Sequence, residues 1–206
     1  MVISGIVLAG GSSRRMGVNK ALLEIGGVPL ITRVSTRLSA AADNVIISSS
    51  EQDRELYRFL GLPIAADLYP GLGPLAGLHA GLSNSQTEWN AVVACDLPFA
   101  PSGLLQYMVS LAEEAGSSVQ AIVPVAASGK AQPLFALYHR NVVPSLEEAL
   151  KQQRSRVMEW LGGLNVIYVP EEQFPGTHSD KHDVLLNMNT PDDYRAAVQR
   201  ESDRLE

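Results

Sequence analysis

Apolar positions along the chain fall into two alternating rhythms. The runs ISGIVLA at 3–9, NVIIS at 44–48 and WNAVVA at 89–94 are nearly continuous in aliphatic and β-branched side chains, the pattern of strands buried on both faces. Shorter runs of the same kind at 63–66, 119–125, 134–138 and 166–169 read as further strands. Between them, Leu30, Ile31, Val34 and Leu38 repeat at helical spacing, which predicts a helix over 29–41 with Pro29 in its first turn. Similar spacing predicts helices over 52–60, stopped by Gly61, and over 142–152. Another starts near Pro74, and another runs from Ser102 as cap to 115. Thr190, Pro191 and Asp193 form a helix start, with the hydroxyl as cap, proline first and an acid third.

Strand and helix alternate through the first two-thirds, so the expected class is α/β, a Rossmann-like and mainly parallel sheet with helices on both faces. Ligands of such sheets bind beyond the carboxyl ends of the strands. Three loops follow strands, at 10–20, 67–74 and 96–100, and are expected on one edge. With no repeat, low-complexity tract or linker, the 206 residues read as a single domain.

Composition narrows the function. A hydrophobic share of 46% and a charged share of 18% suit a globular core. A net charge of −6 argues against a nucleic-acid partner. The longest apolar run falls far short of the ~20 residues that span a bilayer, so neither a membrane partner nor a membrane location is expected. The single cysteine, Cys95, fits a reducing, cytoplasmic setting and a small core residue better than a disulfide or a thiolate metal site.

Against that acidic background, VLAGGSSRRMGVNKALL concentrates Arg14, Arg15 and Lys20 around glycines Gly10, Gly11 and Gly17. Glycine lets backbone N–H groups approach and face a phosphate, and Arg15 and Lys20 add full charges. The Walker pattern fails because Lys20 is followed by Ala21, and the dinucleotide pattern fails because Gly10 and Gly11 are adjacent. The loop therefore reads as a phosphate site of another kind. Asp96 follows the strand at 89–94, where a carboxylate is placed to hold Mg²⁺ beside phosphate oxygens. Asp67 also ends a strand and precedes Gly71, Gly73, Gly77 and Gly81. It could meet metal-bound phosphate, ribose or base, and the glycines could make room for a base or permit close helix packing.

These residues match a known pattern. LAGGSSRRMGVNKALL resembles the LAGG-x-S-x-RMG-x-x-K signature of nucleotidylyltransferases, and DLYPGLGPLAGLHAGL, VVACDLPFA, QPLFALYHR and NMNTPDD follow in order. From about Ile6 to Asp193 the chain is similar to the MobA-like molybdenum cofactor guanylyltransferases. The resemblance implies a nucleotidylyltransferase (glycosyltransferase-A-like) fold. It also implies transfer of GMP from GTP to molybdopterin or molybdenum cofactor, with release of pyrophosphate, the pterin phosphate attacking the α-phosphorus in line. By position, Leu8, Ala9 and Gly10, with Gly11, would contact nucleotide through backbone. Arg15 and Lys20 would neutralise phosphate, Asp67 would contact the nucleoside and Asp96 would bind Mg²⁺; Arg15, Lys20 and Asp96 are thus the catalytic candidates. The nucleotide would occupy about 1–100 and the acceptor about 101–195, with other enzymes of molybdenum cofactor biosynthesis or cofactor-accepting enzymes as protein partners. A related branch transfers cytidylyl groups, and others of this fold use sugar phosphates.

Two positions depart from the pattern: Asn19 stands where aspartate is frequent, and Gln132 where histidine is frequent. On the acceptor side the candidates are Lys130, Arg154, Arg156, Asn187 and Asn189. His178 and His182 lie in a polar stretch without apolar periodicity, which reads as a surface loop, not a zinc helix.

Overall fold

The computed structural model describes residues 1–10, 19–176, 185 and 187–205, with residues 204 and 205 described by backbone alone. It opens with strand β1 (Ile3–Leu8), an interior strand all six residues of which are buried. A hairpin of β2 (Glu24–Ile25) and β3 (Val28–Pro29) follows, then helix α1 (Leu30–Ser39) and strand β4 (Asn44–Ser49). Next come β5 (Ile64–Ala66), α2 (Pro74–Asn84), β6 (Trp89–Ala94) and α3 (Ser102–Glu114). The remainder runs β7 (Ala121–Val125), β8 (Phe135–His139), α4 (Val143–Lys151), α5 (Val157–Leu161), β9 (Val166–Pro170) and α6 (Pro191–Leu205). Seven strands form one sheet in the order β5-β4-β1-β6-β8-β7-β9. Only β8 is antiparallel to its neighbours. The chain from β7 to β8 holds no helix, turning at Gly129 with φ 80°, and a parallel return needs a crossover of a dozen or more residues.

Alternation along each strand builds two cores. Ile3 and Val7 of β1 pack with Ile31, Val34 and Leu38 of α1 and with Leu104, Leu105 and Met108 of α3. Ile6 and Leu8 pack on the other face with Leu75, Leu78 and Leu82 of α2, Leu146 and Leu150 of α4, and Trp160 of α5. Helix α2 lies unusually close to the sheet. A Cβ on Gly81 would stand 2.3 Å from Ile6 Cγ2, so packing, not base binding, is what this glycine serves.

Several expectations shift. Pro29 is extended (ψ 142°) and precedes α1 instead of entering it, and Ser102 is the first helical residue, Pro101 having the cap place with no side-chain cap bond. The segment expected as a helix over 52–60 is a 3-10 helix, Arg54–Leu60, ending at Gly61 with φ 65°. It buries only Tyr57, too narrow an apolar face to hold a full α-helix against the sheet. The β2–β3 hairpin and α5 were not expected, being too short for a periodic signal. Among the described residues no helix is long and apolar enough to cross a membrane.

Register sets the functional edge. Leu8 lies opposite Ser48 and Ala94, and Ser49 opposite Ala66. The chain segments that begin at Ala9, Ser50, Asp67 and Cys95 therefore leave the sheet side by side. Because β8 is reversed, the turn before it arrives at this same edge, where Ala94 N–H donates to Leu134 O at 2.8 Å.

Candidate functional site

Lys20 is delivered to this edge by local chemistry. Asn19 caps a single 3-10 turn, its Oδ1 accepting from Ala21 N–H at 3.0 Å. Lys20 Nζ then stands 3.4 Å from Asp96 Oδ2 and 3.4 Å from Asn189 Oδ1. Both members of the ion pair are largely shielded, with side-chain exposures of 17% and 21%. At that separation the contact is looser than the ~2.7–2.9 Å of a tight charge-assisted bond, so the ammonium is oriented but not captured.

Asn189 arrives from the far end of the sequence. Met188 N–H donates to Asp96 O at 3.0 Å, and the Met188 side chain is buried with Ile25, Leu30 and Ala197. The expected helix start is present: Asp193 accepts from Asn189 and Thr190 N–H, each at 2.8 Å, while Asp193 N–H donates to Thr190 Oγ1 at 3.2 Å. Those N–H donors hold the Asp193 carboxyl below its ordinary range. Helix α6 is locked to the hairpin by Tyr194 O–H to Glu24 O at 2.6 Å and to α1 by Arg33 to Glu201 at 2.8 Å.

Asp96 Oδ1 is buried with no hydrogen-bond partner among the described residues, as is Asn187 Oδ1. A buried carboxylate oxygen without a donor is unfavourable unless a cation or proton satisfies it. Oxygen donors of this kind suit a hard divalent ion, so the residues present fit Mg²⁺. Among the described residues no three His, Cys, Asp or Glu side chains cluster as a metal cage, so further ligands would come from substrate oxygens and water.

The other expected residues meet at this edge to differing degrees. Leu8 and Ala9 are in place, but their groups are partly committed: Cys95 N–H donates to Leu8 O at 3.1 Å and Ala9 N–H to Ser48 O at 2.8 Å. Gly10 is exposed where the chain leaves β1. Gly11 and Arg15 lie outside the described residues. Asp67 N–H donates to Ser49 O at 2.9 Å, and Asp67 Oδ1 accepts from Tyr69 N–H at 2.7 Å, which opens the glycine loop. That loop reaches α2 through Gly73, whose φ of 67° and ψ of −150° are open essentially to glycine alone. Behind it, His79 is buried against Tyr69, with ring centroids 5.3 Å apart. Burial holds its pKa below the ordinary histidine value, against the pull of Glu147 and Asp67.

On the acceptor side, Lys130, Arg154 and Arg156 are exposed and Gln132 is buried. Asn189, also an acceptor candidate, accepts from Lys20. The Cys95 thiol is pushed up to about 12 by burial and then by the Asp96 charge. The stretch containing His178 and His182 lies outside the described residues. Sequence reasoning missed Tyr57 entirely: it is fully buried, and its O–H donates to Ala9 O at 3.2 Å. A short, charged and largely exposed 3-10 helix carried no signal that its one tyrosine would reach this edge.

The chain matches the family model of the MobA-like NTP transferase domain over residues 5–165. It belongs to that family. Among its MobA-like relatives, the "Probable molybdenum cofactor guanylyltransferase" of Pelotomaculum thermopropionicum is 38% identical over 203 residues, covering 98% of this chain and 95% of the relative. The molybdenum cofactor guanylyltransferase of Yersinia pestis is 35% identical over 194 residues, covering 93% and 92%. In structure the chain is similar to molybdopterin-guanine dinucleotide biosynthesis protein A of Archaeoglobus fulgidus, with a TM-score of 0.83 and 29% identity over 97% of this chain and 99% of that one. The mainly parallel seven-stranded sheet is thus that of a nucleotidyltransferase-like fold.

Proposed function

We propose that the protein transfers GMP from GTP to the terminal phosphate of molybdopterin, or of its molybdenum-loaded form, and releases pyrophosphate. The observation that carries this reading is the meeting of Lys20, Asp96 and Asn189 at the carboxyl edge of β1 and β6 in a MobA-like chain. A phosphate nucleophile is already anionic, so the reaction needs no general base. Positioning and charge compensation supply the rate. An ammonium has three donors. Two of those on Lys20 are aligned by Asp96 and Asn189, which leaves one for a phosphate oxygen. Gly10 and Gly11 would offer backbone N–H groups, Arg15 a second positive charge, and Asp67 a contact to the nucleoside. Asp96 would hold Mg²⁺ through its unpartnered oxygen; when bound, that ion offsets charge on the phosphates.

On this reading one domain has two parts, nucleotide in about 1–100 and acceptor in about 101–195, with Lys130, Arg154 and Arg156 as candidates for the pterin side. The single cysteine is in keeping with a cytoplasmic enzyme. The test is transfer of label from each α-labelled nucleoside triphosphate to purified molybdopterin with and without Mg²⁺. The expected result is Mg²⁺-dependent labelling from GTP. Preference for CTP would overturn the base assignment, and absence of Mg²⁺-assisted affinity for any triphosphate would overturn the activity.

A further inference from the structure

Two ends of chain meet at Tyr57. On one side is Ala9, the residue after β1, and on the other is Asn19, the residue before Lys20. The Tyr57 ring is fully buried, packed in the same core as Ala9, Ala21 and Ile47. Its hydroxyl lies 3.2 Å from Ala9 O, and Asn19 Nδ2 lies 2.9 Å from the hydroxyl oxygen. Asn19 Oδ1 accepts from Ala21 N–H at 3.0 Å and also lies 3.2 Å from the Tyr57 hydroxyl, a second acceptor for it beside Ala9 O. One arrangement satisfies every group: Ala21 N–H donates to Asn19 Oδ1, Asn19 Nδ2–H donates to Tyr57 Oη, and Tyr57 O–H donates to Ala9 O. Burial pushes the Tyr57 phenol up to about 12, despite the opposing bond from Asn19, so it remains a donor across the physiological range.

We propose that Tyr57 is a positioning residue that ties Ala9 to Asn19, so that Lys20, the next residue, is presented to GTP at a set distance from β1. The inference rests on the nucleotidyl-transfer reading for its link to GTP, but not for the clasp itself. It also accounts for asparagine at position 19. An amide is the one side chain of this shape that donates to Tyr57 while accepting from Ala21. An aspartate there would have acceptors only. It would draw the phenol O–H away from Ala9 O and leave that carbonyl unpaired, and it would set a negative charge beside Lys20.

The variants Tyr57→Phe and Asn19→Asp remove the clasp without removing bulk. Loss of one internal hydrogen bond corresponds to roughly a fivefold to tenfold change in an equilibrium. For Tyr57→Phe, KM for GTP should therefore rise about fivefold to tenfold. The same variant should leave kcat within about twofold, because the anchoring that the clasp provides must then be supplied by GTP binding. KM for molybdopterin should change less than KM for GTP, since Tyr57 lies on the β1–β4 side and the charged acceptor candidates Lys130, Arg154 and Arg156 lie outside that side. A merely structural role would instead lower the active fraction, reducing kcat with both KM values unmoved. The two variants should also be non-additive in KM for GTP, because each breaks the same chain of bonds.

Hydrogen exchange at the Ala21 amide, measured without nucleotide, should quicken about fivefold to tenfold in Tyr57→Phe. Unchanged exchange together with wild-type KM for GTP in Tyr57→Phe overturns the clasp while leaving the guanylyl-transfer reading intact. Accelerated exchange in a protein whose wild type transfers no GMP supports the clasp and overturns the transfer reading. The two failures are thus separable.

Discussion

Replacing Asp96 by asparagine keeps the shape of the side chain and removes its charge. The structural consequence follows from three facts: Lys20 Nζ lies 3.4 Å from Oδ2, the two side chains are 17% and 21% exposed, and Oδ1 is buried without a partner among the described residues. Breaking a fully buried pair costs about 3–5 kcal/mol, whereas exposed pairs contribute about 0–1 kcal/mol. This pair is partly solvated and loosely spaced, and Lys20 keeps Asn189 as an acceptor, so its loss should cost about 1 kcal/mol. The asparagine either exposes its amide nitrogen to Lys20 or buries it where Oδ1 was unpaired, so the orphaned atom persists and adds little. For a chain of this size the melting temperature should fall by about 2–4 °C. Activity should fall far more. Removing one preorganised group that stabilises developing charge typically costs about 10²–10³ in rate, and a lost metal ligand belongs at the upper end. The assay is the initial rate of label transfer from α-labelled GTP across a Mg²⁺ titration, beside thermal denaturation of the same samples. An Asp96→Asn protein that transfers GMP within tenfold of wild type, at the same Mg²⁺ midpoint, would refute the assignment of the cation to this carboxylate.

Further outcomes follow from particular contacts. Gly81→Ala would place a methyl 2.3 Å from Ile6 Cγ2 on the interior strand β1. Lifting α2 to relieve that overlap should cost about 1–3 kcal/mol, read as a fall of about 3–10 °C in melting temperature; an unchanged value would mean that α2 lies farther from β1. The Asp193 carboxyl is depressed by the N–H groups of Thr190 and then Asn189. A depressed carboxyl contributes stability above its unfolded pKa and loses it as pH falls through the folded one. Wild type should therefore be more stable than Asp193→Asn at neutral pH, and the two should converge in acid below pH ~4; a constant gap in denaturant midpoint across that range would contradict the cap. His79 has a linkage of the same sign at higher pH. Burial first of all keeps its folded pKa low, so the unfolded chain binds the extra proton and stability declines as pH drops below about 6.5. In His79→Gln that decline between neutrality and pH ~5 should be smaller, and an identical decline would show that His79 is not its source.

Much of this molecule was legible in its linear order. A run such as WNAVVA buries every side chain only between two helix layers, so the run itself specifies a strand covered on both faces, and β6 has the boundaries read from the sequence. The Thr190–Asp193 start of α6 was equally readable, because a capping box is a contact between near neighbours. Lys20, Asp67 and Asp96 were picked out because each follows a strand or a glycine turn, and parallel strands place all such exits on one edge.

Tertiary structure alone decided what depends on distant chain. The direction of β8 is set by a connection too short for a crossover, which no residue of β8 itself encodes. Asn189 reaches Lys20 across the molecule because α6 packs on the β2–β3 hairpin, and Tyr57 meets Ala9 and Asn19 because the sheet turns a 3-10 helix inward. Hydrogen bonds of this kind join groups far apart in sequence and obey geometry, not periodicity. Local pattern therefore determined the elements and the site's principal charges, while packing determined which neutral side chains hold those charges in place.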